Sequence, residues 1–69
     1  MNLEELKEVK PDLRLVGEDG NAYYIMAAAR KAARKAGLPP EECERLIAEM
    51  TGGDYNNLLS VAMKYFNVH

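Results

Sequence analysis

The chain has no tryptophan, one cysteine, one histidine, one phenylalanine and three prolines among its 69 residues. Each scarcity excludes something. A single thiol, Cys43, cannot form an internal disulfide, so the fold is not a disulfide scaffold. One thiol and one imidazole are too few for a thiolate–imidazole zinc site. No apolar run approaches the roughly 18 residues that span a bilayer. The start, MNLEEL, is acidic and lacks an apolar segment, which predicts no signal peptide, and neither end carries a lipidation signal. The Walker lysine–hydroxyl pair and the G-x-G-x-x-G pattern are missing, as is any nucleophile–base pair. These absences predict a non-enzymatic protein with no catalytic residue, no cofactor and no metal. A free thiol without an export signal predicts the cytoplasm.

Acid is the other scarcity, and it is local. Net charge is −2, which counts against a dedicated nucleic-acid binder. Residues 22–37 nevertheless contain no Asp or Glu, while Arg30, Lys31, Arg34 and Lys35 gather there. Residues 41–54 hold five acids against Arg45. A hydrophobic fraction of 48% with 29% charged residues is ordinary for a folded domain, and the length allows one domain, 1–69. A core of this size supplies only about 3–5 kcal/mol net. Close helix packing or self-association must supply the rest.

The pattern predicts a mainly α, compact three-helix domain with a short N-terminal helix. Asn2 caps that short helix over 3–9, and Pro11 ends it. Residues 1–10 are then either docked or frayed. Leu13, Arg14, Leu15 and Val16 form a short apolar run suited to a strand. Its only available partner is the tail Asn67, Val68, His69, so any sheet is a minimal two-strand ribbon. Gly17, Glu18, Asp19 and Gly20 read as a turn. Asn21 caps the second helix, over 21–36, and Gly37 ends it in the left-handed conformation. Pro39 and Pro40 open the third helix, over 40–51, with a stripe of Cys43, Leu46, Ile47 and Met50. Asp54 caps the fourth, over 54–66, in which Leu58, Leu59, Ala62 and Phe66 form the main apolar face.

Two surfaces stand out. At 100° per residue, Tyr23, Ala27, Arg30, Lys31 and Arg34 share one arc of the second helix, opposite Ile25, Ala29, Ala32, Ala33 and Ala36. Tyrosine stacks on bases, arginine forks onto phosphate or carboxylate, and Ala27 leaves room for a partner. This face predicts a protein partner or, alternatively, a nucleotide or nucleic acid. The bland reading is a solvated face whose cations pair with the acidic third helix, Tyr24 being partly buried. The second surface is Val61, Met63 and Tyr65, which point away from the assigned inner face of the fourth helix and predict a homodimer. The competing reading covers that patch with Leu3, Leu6 and Val9.

Other features have plain explanations. The glycines before Asn21 resemble an anion nest, but Glu18 and Asp19 repel phosphate. Asp19 and Asn21 could supply two oxygens to calcium, but the remaining loop ligands are missing. Cys43 lies on an apolar stripe and reads as packing, and His69 is terminal.

The block LVGEDGNAYYIMAAARKAARKAG, followed by TGGDYNNLLSVAMKYFNV, resembles a family of small uncharacterised proteins of bacterial, plasmid and phage genomes. The likeness covers residues 13–68: an apolar run, a G-x-D-G-N-A corner, a basic helix and a final amphipathic helix. The resemblance implies an intracellular setting and a shared structural corner over 17–22, and it implies no activity. The expected function is therefore a small intracellular binding or regulatory protein acting through protein–protein contacts.

Overall fold

The computed structural model describes residues 1–15 and 21–69. In chain order it runs α1 (Leu3–Val9), β1 (Asp12–Leu13), α2 (Ala22–Ala36), α3 (Pro40–Met50), α4 (Tyr55–Tyr65) and β2 (Asn67–Val68). Val16 and the expected turn Gly17, Glu18, Asp19 and Gly20 lie outside the described residues, as do the glycine nest and the Asp19 oxygen.

Local chemistry starts and stops each helix. Asn2 and Glu5 form a reciprocal capping box, the Asn2 side chain accepting from the Glu5 N–H at 2.9 Å. Asn21 Oδ1 accepts from the N–H groups of Tyr23 and Tyr24 at 2.8 and 3.3 Å. Asp54 accepts from the Asn57 N–H at 2.9 Å. Gly37 closes α2 at φ 109°, where a β-carbon is costly. Lys10 ends α1 in the same left-handed region, at φ 46°. Gly53 is required by space instead, since a β-carbon there would stand 2.8 Å from Asn57 Cβ. That close approach lets Asn57 Nδ2 donate to the carbonyls of Glu49 and Met50, satisfying the open end of α3.

Periodicity chooses the core. Ile25, Ala29 and Ala33 of α2 meet Cys43, Leu46 and Met50 of α3, all buried. The alanines are small, so the two helices approach closely. Leu13 of β1 packs against α2, and α1 docks on α4 through fully buried Leu6. The two strands are parallel, with Asp12 opposite Asn67 and Leu13 opposite Val68. Helices α2, α3 and α4 form the crossover that parallel pairing requires. The ladder extends past the strands: His69 donates to the Leu13 carbonyl at 2.9 Å and accepts from the Leu15 N–H at 2.6 Å. His69 is therefore held through both its N–H and its carbonyl, and the strand begins one residue earlier than the apolar run suggested.

The self-association patch needs correction. Val61 is 6% exposed and Tyr65 4%, so neither is available to a second copy; only Met63 faces solvent. The buried stripe of α4 is Leu58, Val61, Ala62 and Tyr65, with Leu59 only half-buried. Phe66 caused the misreading. It is buried, but its backbone is extended, at φ −132° and ψ 157°, so its position does not follow helical phase. The expected face of Leu58, Leu59, Ala62 and Phe66 lies about 60° around the helix from the buried stripe. Leu3 and Leu6 of α1 sit on the side of α4 so misassigned. Val9 does not join them, being exposed.

Candidate binding face and groove

Helix α2 carries its apolar stripe inward, and so must present Tyr23, Ala27, Arg30, Lys31 and Arg34 outward. All five are exposed, Tyr23 to 80%. Tyr24, also exposed, is less so at 39%. Among the described residues no ion pair within 4.0 Å includes Arg30, Lys31, Arg34 or Lys35. The expected pairing of these cations with acidic α3 is therefore not made.

A groove runs beside this face along the α2–α3 seam. At the start of α2, a depression of about 360 Å³ is lined by Tyr23, Met26, Met50, Tyr55 and Leu58, with Asp54 at its edge. Tyr23 and Met26 also line the next depression, about 280 Å³, with Ala27, Arg30 and Ile47. Arg30 in turn lines a third, about 90 Å³, with Arg34, Pro40 and Glu44. The three are neighbours along α2, the first two sharing Tyr23 and Met26 and the last two sharing Arg30. From Ala22 to Arg34 the helical rise gives a length of about 18 Å. One end is apolar and aromatic, and the other is lined by two arginines and one glutamate.

The opposite side of the molecule differs. Glu42 accepts from the Leu3 N–H at 3.2 Å and from Arg45 at 3.1 Å, tying α1 to α3. Glu49 accepts from Lys64 Nζ at 3.0 Å and from the Tyr65 hydroxyl at 2.9 Å. Burial pushes the Glu49 carboxyl up, but those two hydrogen bonds and the Lys64 charge outweigh it and hold it below its ordinary 4.5. The hydrogen bond to Glu49 raises the Lys64 ammonium, and burial followed by the same carboxylate raises the Tyr65 hydroxyl. Glu42, Arg45, Glu49 and Tyr65 line a polar cleft of about 340 Å³ with Asn2 and Glu4. Its polar groups are already spent on one another and on the backbone. Among the described residues no cluster of three or more His, Cys, Asp or Glu converges as a metal site would.

Cys43 is buried, its Sγ 3.7 Å from the Leu38 carbonyl, in the packing role its stripe suggested. No helix among the described residues is long and apolar enough to cross a membrane. Residue spacing alone did not assign Met26, Ile47, Tyr55 or Leu58 to a ligand-facing surface. Met26 had a usable signal, lying three residues after Tyr23 and four before Arg30. Ile47 sits on the apolar stripe of α3 and reads as core, and Tyr55 joins the groove only through the α3–α4 turn. No protein-family model matches the chain, and no curated protein or solved structure matches it.

Proposed function

We propose that this chain is a small, non-enzymatic binding or regulatory protein of the cytoplasm that acts through protein–protein contacts on the outer face of α2. The observation that carries this reading is the line of exposed Tyr23, Ala27, Arg30 and Arg34, whose cations make no ion pair among the described residues. Aromatic and arginine side chains are the types enriched at interface hot spots. The buried free thiol suits a reducing compartment. The likeness of residues 13–68 to small bacterial and phage proteins suggests where to look for the partner. Affinity capture from a bacterial or phage-infected lysate tests it, comparing the native chain with Arg30→Glu/Arg34→Glu. The expected result is a protein held by the first and lost by the second. Identical captured proteins would sink the reading.

The same exposed cations beside Tyr23 favour a second reading, binding of a nucleotide or nucleic acid. Phosphate-driven binding weakens steeply with salt. Titration with oligonucleotides and nucleotides at low and high salt separates the two, and no binding at low salt removes this one.

A further inference from the structure

The groove beside α2 is specific about what fits it. Its aromatic end joins Tyr23 and Met26 of α2 to Tyr55 and Leu58 of α4. Two helical turns away, Arg30 and Arg34 line a depression with the single carboxylate of Glu44, and neither makes an ion pair within 4.0 Å among the described residues. Lys31 and Lys35 add positive charge on the same helix. Asp54, at the aromatic end, already spends its side chain on the Asn57 N–H. The charge along the groove therefore runs from an apolar end carrying one carboxylate, Asp54, to an end where two guanidiniums face one glutamate.

We propose that this groove seats one amphipathic, acidic helix of a partner protein. Apolar side chains of that helix enter between Tyr23, Met26 and Tyr55, and carboxylates about two turns away meet Arg30 and Arg34. The inference rests on the reading of α2 as a protein-binding face and names the chemistry of the partner. An 18 Å groove accommodates about three turns of helix, the length over which helix-in-groove recognition works. A helical ligand shares the rise of α2, so its spacing from anchor to acid matches the spacing from Tyr23 to Arg30. Arginine pairs carboxylates in a bidentate fork, which fixes register along the groove.

Nucleic acid is a poorer fit, because Met26, Ile47 and Leu58 offer apolar walls where phosphates and base edges need donors. A second copy of the chain is also a poorer fit. Its acidic helices α1 and α3 turn their apolar faces inward through Leu6 and through Cys43, Leu46 and Met50. Val9 is the one large apolar side chain those two helices leave exposed.

A phage-displayed library of random peptides about 16 residues long, selected on the whole chain, tests the proposal. Enriched peptides are expected to place apolar residues at i and i+3 or i+4, with Asp or Glu about two turns away. Their affinity should fall at least about ten-fold with Arg30→Glu/Arg34→Glu and also with Tyr55→Ser. Amide NMR shifts at Met26, Ile47 and Tyr55 should follow the peptide, and unperturbed spectra elsewhere show that the variants fold. Peptides lacking acids, peptides indifferent to Tyr55→Ser, or no enrichment would overturn it. So would salt-sensitive oligonucleotide binding at these residues, or the same shifts produced by concentrating the chain alone. Tyr55→Ser separates this inference from the reading beneath it. A lysate partner lost with the arginine variant but kept with Tyr55→Ser leaves the α2 face standing and removes the groove. A partner kept by both variants removes both.

Discussion

The side of the molecule built by α1, α3 and α4 and the outer face of α2 handle charge in opposite ways. On the first, Glu42 fastens the start of α1, and Glu49 holds both Lys64 and Tyr65. On the second, no ion pair within 4.0 Å among the described residues includes Arg30, Lys31, Arg34 or Lys35. The arrangement on α2 even works against the helix. Arg30 and Arg34, like Lys31 and Lys35, are like charges at i and i+4, each pair costing a few tenths of a kcal/mol. Proximity to the helix C-terminus recovers part of that for Arg34 and Lys35. Charges that fasten elements together are explained by the fold. Charges that cost the helix something and make no ion pair among the described residues are the ones the proposed partner helix would engage.

The largest expected effect lies on the fastened side. Leu6→Ala removes the one fully buried side chain of α1 and should cost about 2–4 kcal/mol. In a domain this small, that lowers the melting temperature by roughly 10 °C or more in a thermal unfolding scan. A shift of only a degree or two would mean that α1 is not docked, and the contrast between the two sides would collapse.

Next comes the Glu49 cluster. Tyr65→Phe deletes the hydroxyl that donates to Glu49 and should cost about 1 kcal/mol by urea unfolding. Glu49→Gln should couple with it, the double variant losing less than the sum of the two single changes. Additive losses would show that the two groups act independently.

The same cluster sets a pH dependence. The Glu49 carboxyl is lowered in the fold, so its contribution is complete above its ordinary 4.5 and is lost as pH falls through the folded value. Lys64 and Tyr65 are raised, so their contributions are complete below 10.5 and 10.0 and are lost as pH climbs through the folded values. Glu49→Gln should flatten part of the acid limb in unfolding measurements between about pH 3 and 7. An unchanged acid limb would remove Glu49 from the account.

The smallest stability effect belongs to α2. Arg30→Glu/Arg34→Glu should stay within about 0.5 kcal/mol of the native chain while abolishing partner binding. A loss above about 1 kcal/mol would give these arginines a structural role and bring the two sides of the molecule together.

Much of the fold was legible because it is written in short-range chemistry. Asn2, Asn21 and Asp54 sit where caps are needed, and Gly37 sits where φ must be positive. The helix limits accordingly agree with expectation to within about one residue. The pairing of β1 with the tail also followed, since nothing else was extended. The inner face of α4 did not, because Phe66 leaves the helix and α1 packs onto α4 from far away in the chain. Of the candidate site, the exposed line on α2 could be read from its spacing. The groove could not, because it lies between helices.

The sequence by itself determined the helices, their ends, the alanine stripe that draws α2 and α3 together, and the face of α2 left outside. Each depends on residues within a turn or two of one another, where spacing and capping act directly. The tertiary structure alone decided which side of α4 is buried and that Glu49 serves as the hub for Lys64 and Tyr65. It alone brought Met26, Ile47 and Tyr55 to one groove. Those outcomes depend on how far apart whole helices sit and at what angle, quantities set by the sum of all side-chain volumes in the core and by no local run of residues.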